Sequence, residues 1–426
     1  MSLSDHPSRP LRSRLASRAS ALRRPVLRKL ETLRGGLLEL RDAFGQHSFG
    51  ESCPSRAEIP QARLEVHHQS FYSKVAFGGT IGAAEAYMDG LWTVDDLTAL
   101  VRLLVRNRDA MERLEGGWGR LMAPLHRAYH AWRSNTRRGS SKNIREHYDL
   151  GNEFFALFLD DTMTYSCALF EPPEISLADA SRAKIDRLCR KLDLGPDDHL
   201  LEIGTGWGAL AVHAAATYGC RVTTTTLSPA QATKARQRIA AAGLADRITV
   251  LETDYRDLEG RYDKLVSVEM IEAVGHEFFD TFFAKCSALL APDGLMALQA
   301  ITIADRFYEQ AKRSVDFIQR YIFPGGAIPS VTAMTRSVAA VTDLTPVHLE
   351  DISPHYARTL QSWRERFFGR LEEVRALGFS ERFIRMWEFY FCYCEGGYRE
   401  RSIGNVQWIL AKPDNRRPPI LGSLSG

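Results

Sequence analysis

From Leu188 onward, short apolar runs alternate with longer amphipathic stretches. The runs at His199–Ile203, 221–226, 248–252, 264–268 and 295–301 have the length and character of buried strands. Between them, Ala209–Tyr218, 229–242 and 277–290 carry a helical period. This alternation predicts an α/β fold with a doubly wound, parallel sheet. Residues 305–321, 357–377 and 381–398 read as aromatic-rich helices, and a late strand follows over 406–410. Upstream, residues 62–66 alternate like a strand, and 71–80 read as a strand or short helix ending at a glycine turn. Residues 83–88 and 94–104 read as helices, the second introduced by Thr93 and Asp95-Asp96.

Charge changes the picture at the amino terminus. From Met1 to Arg34 there are nine basic residues, opposed by Asp5 and Glu31, although the whole chain carries only +3. Leu11, Leu15, Leu22, Val26, Leu30 and Leu33 recur near multiples of a helical turn, with Pro25 interrupting. The segment reads as a broken basic amphipathic helix suited to an anionic membrane surface, or as a plain tail. The divisions expected are a tail over 1–49, a small α+β unit over 50–133, a polar basic linker over 134–142, a large domain over 143–411 with a helical cap at about 303–398, and a tail over 412–426.

Composition mainly excludes. The length, 426 residues, allows two or three domains, and 45% hydrophobic with 25% charged residues is ordinary for a globular chain. No apolar run reaches the roughly 18 residues of a membrane span, and no secretory h-region follows the basic start. Seven unequally spaced cysteines make no disulfide framework, which points to a reducing cytoplasm. No Cys/His cluster has zinc spacing, and His67-His68 reads as surface loop, so no metal is expected.

The chemistry starts at Glu202-Ile203-Gly204-Thr205-Gly206-Trp207-Gly208, a strand running into a glycine turn. Such a turn lets backbone approach a ligand, and Glu202 can anchor either the turn or the ligand. The spacing G-x-G-x-G differs from the pyrophosphate-binding G-x-G-x-x-G, which favours S-adenosylmethionine over a dinucleotide.

Further motifs stand in order: His147-Tyr148-Asp149-Leu150-Gly151-Asn152, Thr164-Tyr165-Ser166-Cys167, Thr226-Leu227-Ser228 with Gln231, Asp254-Tyr255-Arg256, Val268-Glu269-Met270-Ile271-Glu272-Ala273, Arg320-Tyr321-Ile322-Phe323-Pro324-Gly325-Gly326 and Cys394-Glu395-Gly396-Gly397. From about residue 50 to 411 this set resembles the cyclopropane fatty acid synthases, which are class I S-adenosylmethionine-dependent methyltransferases. The resemblance implies a Rossmann-like sheet with an antiparallel edge strand and an amino-terminal domain of lipid-binding type. It implies cofactor contacts from Tyr165, Ser166, Glu202, Gly204, Gly206, Gly208, Thr226, Leu227, Gln231, Tyr255 and Arg256.

The implied reaction adds a methyl or methylene group to the double bond of an unsaturated phospholipid acyl chain. An alkene is a poor nucleophile, so the electrophilic methyl must be held in line with water excluded, and aromatic faces must steady the developing cation. The resembling enzymes hold bicarbonate as the base that removes a proton. The matching positions are Cys167 and Ile301 through their backbones, Glu272, Gln299 and Tyr356, with Cys394 near the site. Gln299 stands where the family has His, and Ala273 replaces another His. Either bicarbonate or Glu272 itself could then take the proton. A methyl- or methylene-branched product and a non-catalytic lipid-binding protein are the alternatives. The expected setting is cytoplasmic, on the inner face of the membrane, with phospholipid partners and no nucleic acid. A homodimer is compatible with this picture.

Overall fold

The computed structural model describes residues 22–51, 59–108 and 150–420. The chain divides into two compact units, residues 1–125 with 379–400, and residues 126–378 with 401–426. The basic residues before Leu22, the linker at 134–142 and His147-Tyr148-Asp149 lie outside the described residues.

The first unit is built on a four-stranded sheet in the order β2-β1-β3-β4, from β1 (Leu37–Asp42), β2 (Gly45–Gly50), β3 (Gln61–Val66) and β4 (Trp92–Val94). β1 pairs antiparallel with β2 and parallel with β3. Alternation decides which face is covered: Leu38, Leu40, Ala62, Leu64 and Val66 are buried. Helices Ser70–Met88, Leu97–Arg106 and Glu381–Arg399 complete the unit. Asp96 caps the second, its side chain accepting from Ala99 N. The segment at 71–80 is helical throughout except at Gly79, whose φ of 53° bends the helix in a way only glycine tolerates easily.

Two boundaries expected from the sequence move. Residues 37–50 are a hairpin of the first sheet, so the unit does not begin at 50. Residues 22–30 are helical, with Val26, Leu27 and Leu33 buried, and Arg23 pairs with Asp42 at 2.6 Å. These apolar positions are used inside the unit, and the arginine-rich composition had masked them. The helical cap also ends earlier than expected, because Glu381–Arg399 belongs to the first unit, against Leu97–Arg106 and Ser70–Met88.

The second unit carries a seven-stranded sheet in the order β10-β11-β9-β8-β5-β6-β7. Its strands are β5 (His199–Ile203), β6 (Arg221–Thr225), β7 (Ile248–Leu251), β8 (Tyr262–Val268), β9 (Leu290–Ile303), β10 (Thr345–Asp351) and β11 (Ile403–Ala411). β5 to β9 are parallel, and β11 runs antiparallel between β9 and β10. Neighbouring residues serve opposite layers. Leu201, Leu265 and Leu298 join one core with Phe282, Phe283 and Met334, whereas Leu200, Val266 and Ala297 join the other with Leu188, Ala211 and Ile239. This double burial gives the near-continuous apolar runs seen in the sequence.

The late strand is therefore inside the sheet, and β10 forms the edge. β10 was not expected, because TPVHLED is mostly exposed and polar. Helix Leu177–Lys191, capped by Ser176, was also not expected; its many charged residues hid its apolar stripe. The expected helix at 305–321 is a short helix, Asp305–Ala311, followed by a π-turn at Ile318–Ile322. The one at 357–377 begins earlier, at Ser353–Gly369, and breaks before Leu371–Ala376.

The helix Glu381–Arg399 makes a close approach at Gly396. A Cβ there would meet Val101 Cγ1 at 2.6 Å and Val101 Cβ at 3.0 Å. Gly396→Val should therefore destabilise the first unit by about 3 kcal/mol through overpacking. Urea unfolding followed by circular dichroism checks this; an unchanged midpoint would separate this helix from the unit.

Candidate active site

The strand order reverses about β5, which lies between β6 and β8, and a cleft opens at the carboxyl ends of these strands. The turn after β5 is held open by glycine geometry. Gly204 and Gly206 have φ of 107° and 51°, and Gly204 N and Thr205 N both donate to Thr225 O at 3.0 Å. A Cβ added at Gly206 would meet no atom within 4 Å. Below the turn, Thr224 Oγ1 donates to Glu202 Oε2 at 2.6 Å, and burial pushes the Glu202 carboxyl up to about 8. Trp207 Nε1 donates to Asn152 Oδ1 at 2.7 Å, tying the turn to the segment around Gly151.

Tyr165, Ser166, Glu202, Gly204, Gly206, Thr226, Leu227, Gln231 and Tyr255 all line this cleft. Thr226 Oγ1 donates to Gln231 Oε1 at 2.8 Å, so the end of β6 and the helix after it present one polar edge. Gly208 and Arg256 stand outside the lining. Gly208 instead lets helix Ala209–Tyr218 approach its neighbour, since a Cβ there would lie 3.1 Å from Ala235 Cβ. Arg256 is held by Asp254, Nη2 to Oδ2 at 2.6 Å, with its guanidinium over the rings of Tyr255 and Phe278. Both act behind the cleft.

The lining fits S-adenosylmethionine. Its one ammonium, Lys184, already donates to Ser166 Oγ at 2.8 Å, so no cationic cluster awaits a pyrophosphate. Burial lowers the Lys184 pKa. Tyr255 OH is buried without a partner and stands ready for a polar ligand atom. Lys184 was missed by sequence reasoning. It sits on the unexpected helix, and a lone lysine among charged neighbours gives no signal.

Beside the cleft lies a second arrangement, centred on Glu269. Its Oε1 accepts from Cys167 N at 3.0 Å, Gln299 Nε2 at 2.9 Å and Asn405 Nδ2 at 2.6 Å. Its Oε2 accepts from Tyr356 OH at 2.7 Å. Cys167, Gln299 and Tyr356 are three of the five groups that the resemblance assigns to bicarbonate, with Glu272 and Ile301 the others. Here those three grip a carboxylate of the chain itself, so the cradle does not fit a bicarbonate ion. In the sequence Glu269 carries no local sign of a role, because its partners come from distant segments. Asn405 carries none either.

Gln299 has a defined orientation. Lys191 Nζ donates to Gln407 Oε1 at 2.8 Å, and Gln407 Nε2 donates to Gln299 Oε1 at 3.0 Å. A lysine can only donate, so each amide in turn shows its oxygen upstream and its nitrogen downstream, toward Glu269.

Glu272 takes a different place. Its Oε1 accepts from Ile301 N, so two positions that the resemblance assigned to bicarbonate bind each other, while Oε2 is buried without a partner. Burial, and then the nearby Glu269 charge, push its carboxyl up to about 8. The Cys167 thiol is raised well above its usual range by burial and is no nucleophile. Tyr165 stands among aromatic rings, with Phe155, Phe323 and Trp363 centroids at 5.4, 6.1 and 5.1 Å. Of the aromatic residues of the expected helical cap, Trp387, Tyr390 and Phe391 fill the core of the first unit. Cys394 also lies on that unit's helix and is not among the cleft's lining groups.

Comparison with known proteins agrees with this geometry. A family profile described as mycolic acid cyclopropane synthetase matches residues 135–408. A tuberculostearic acid methyltransferase of Mycobacterium tuberculosis is 39% identical over 409 residues, covering 94% of this chain and 93% of that protein. The cyclopropane-fatty-acyl-phospholipid synthase of Escherichia coli K12 is 35% identical over 359 residues, covering 82% and 88%. A crystal structure of the mycolic acid cyclopropane synthase CmaA1, complexed with SAH and CTAB, superposes with a TM-score of 0.59 at 34% identity, over 64% of this chain and 98% of that one. With its class I sheet, glycine turn and cofactor cleft, the chain belongs to the cyclopropane fatty acid synthase family of S-adenosylmethionine-dependent methyltransferases.

Proposed function

We propose that the protein methylates the double bond of an unsaturated phospholipid acyl chain, and that proton loss then closes a cyclopropane ring. The observation that carries this reading is the pairing of an aromatic cluster around Tyr165 with a hydrogen-bonded carboxylate that lines the cleft. That pairing suits a carbocation, which needs ring faces to steady it and a base to end it. The E. coli relative is named for this chemistry on phospholipid.

When bound, S-adenosylmethionine supplies an electrophilic methyl group. Gly204 and Gly206 give its methionine and ribose portions a close backbone approach. Thr226, Leu227 and Gln231 would hold its ribose, and Tyr255, whose hydroxyl is free to donate, would hold its adenine. Tyr165 and Ser166 cover the cofactor, with Lys184 fixing the Ser166 hydroxyl. Gly208 and Arg256 support the cleft from behind. Tyr165, Phe323 and Trp363 exclude water and present π-faces to the developing charge.

Among the described residues no helix is long and apolar enough to cross a membrane. Attachment to a membrane surface would then be peripheral, with the basic residues before Leu22 attracting anionic headgroups. A second reading is a methyl- or methylene-branched product. It is favoured by the name of the tuberculostearic acid methyltransferase, which aligns along 94% of the chain.

Gly206→Val should abolish cofactor binding, because the new side chain enters the space the ligand needs and strains a backbone held at φ of 51°. Titration calorimetry with circular dichroism reads both; normal affinity in a folded variant would refute the placement.

Product identity follows from methyl-trideuterated cofactor and phospholipid vesicles. A ring should keep two of the three deuterons and resist ozone. A methylene branch also keeps two but is cleaved by ozone. A product retaining all three deuterons would exclude ring closure.

Glu202 and Glu272 rise from an ordinary 4.5 to about 8. Between those values the folded protein holds protons that the unfolded chain has released. The stability they confer is complete below pH 4.5 and is lost as pH rises through 8. Half-buried His199, His348 and His355, lowered chiefly by burial, act in the opposite sense near pH 6.5. The difference between parent and a Glu202→Gln, Glu272→Gln variant isolates the carboxyls. Urea midpoints should show the parent losing stability relative to the variant from about pH 5 to about pH 8.5.

A further inference from the structure

We infer that Glu269 is the protein's own base for the proton-loss step, standing in the place of an exogenous anion. The inference rests on the acyl methyl-transfer reading above and names the residue that completes it.

Four observations carry it. Glu269 lines the cofactor cleft. Its carboxylate is gripped by four donors from four separate segments, at Cys167, Gln299, Tyr356 and Asn405. Three of those donors are positions matched to a bicarbonate cradle, and a free anion there would have to displace the carboxylate and then face its charge. The backbone of Glu269 has φ of 49°, a conformation that costs a non-glycine residue energy and persists where surroundings demand it. The chain thus accepts strain to turn this one side chain into the cradle.

The two oxygens divide the work. Oε1 accepts three hydrogen bonds and is saturated. Oε2 accepts one, from Tyr356, and keeps a lone pair free. In the first step, the alkene π pair forms the bond to the methyl carbon, the sulfur–carbon pair returns to sulfur, and the other alkene carbon becomes cationic. Glu269 Oε2 then takes a proton from the new methyl group. The C–H pair forms the third ring bond, and Glu269 is left as the neutral acid. For a methylene branch, a 1,2-hydride shift first moves the cation to the methyl-bearing carbon; the same oxygen then takes a proton from the methyl group, and the C–H pair becomes the methylene double bond. Glu272 is less suited: Ile301 N holds one oxygen, and its raised carboxyl is already protonated near neutral pH.

The test compares the full-length wild type, Glu269→Gly and Glu269→Gln in buffer stripped of carbon dioxide, with and without added bicarbonate. Wild-type methyl transfer to phospholipid vesicles should not change with bicarbonate. Glu269→Gly should lose on the order of 100-fold or more of turnover and regain part of it with bicarbonate, which can occupy the vacated cradle. Glu269→Gln should lose as much and gain nothing, because the amide still fills the space. A readout independent of turnover is binding of carbon-13 bicarbonate by NMR, expected for Glu269→Gly and absent for wild type. Carbonate-dependent wild-type turnover, bicarbonate binding to wild type, or an active Glu269→Gln enzyme would each overturn the inference. If Glu269→Gly fails to fold, Glu269→Gln and the wild-type binding measurement still decide it. If wild type transfers no methyl to acyl chains, the functional reading fails while the binding experiment still judges the cradle.

Discussion

The site depends on one constraint: a carboxylate brought among desolvated donors must have every donor aimed at it. Gln299 and Asn405 are fully buried, and Tyr356 is 5% exposed. Without an acceptor their polar groups would each cost on the order of 1–3 kcal/mol. Glu269 supplies that acceptor. Its donors come from the segment before helix Leu177–Lys191, from β9, from helix Ser353–Gly369 and from β11. The register supports the arrangement, because Val268 at the end of β8 pairs with Gln299, and Gln299 pairs with Gln407 across the sheet. The antiparallel β11 is therefore more than a closing strand. It carries Asn405 to Glu269 and Gln407 to Gln299, and through Gln407 it connects the site to the Lys191–Glu350 pair.

Two carboxyls three residues apart thereby stand in different surroundings. Glu269 has four donors, and charge on it is shared among them. Glu272 has one backbone donor and a buried bare oxygen, and burial beside Glu269 raises it to about 8. The cleft shows the same economy on a smaller scale. Glu202 is kept largely neutral by burial, and Lys184 answers the nearby acids while holding Ser166 in place.

The sheet of the second unit was legible because both its faces are buried, which makes its parallel strands continuous apolar runs. β10 was not legible, since an edge strand with exposed polar residues lacks that signature. The hairpin at 37–50 was hidden by its arginine-rich surroundings, although Leu38 and Leu40 alternate correctly. The placement of helix Glu381–Arg399 was also hidden. Its aromatic richness suited a substrate cap, and only the close approach of Gly396 to Val101 shows what it packs against. At the site, the glycine turn and the polar ends of β6 and β7 could be read locally, because consecutive residues build them. The carboxylate centre could not, because its four donors stand 30 to 136 positions from Glu269 along the chain.

The departure at Gln299 acquires a physical meaning once Glu269 is in view. A histidine beside a free anion can donate a hydrogen bond and also carry charge to hold that anion in place. An anion attached covalently to β8 needs no such retention, because the backbone has already met the entropic cost of bringing it there. What the cradle then requires of its neighbour is a neutral donor of fixed direction. Gln299 meets that requirement, since the lysine-led chain of amides sets which end of it faces the carboxylate. The amide and the carboxylate are thus two halves of one arrangement, and reading Gln299 alone as a weakened histidine mistakes a substitution of mechanism for a loss of function.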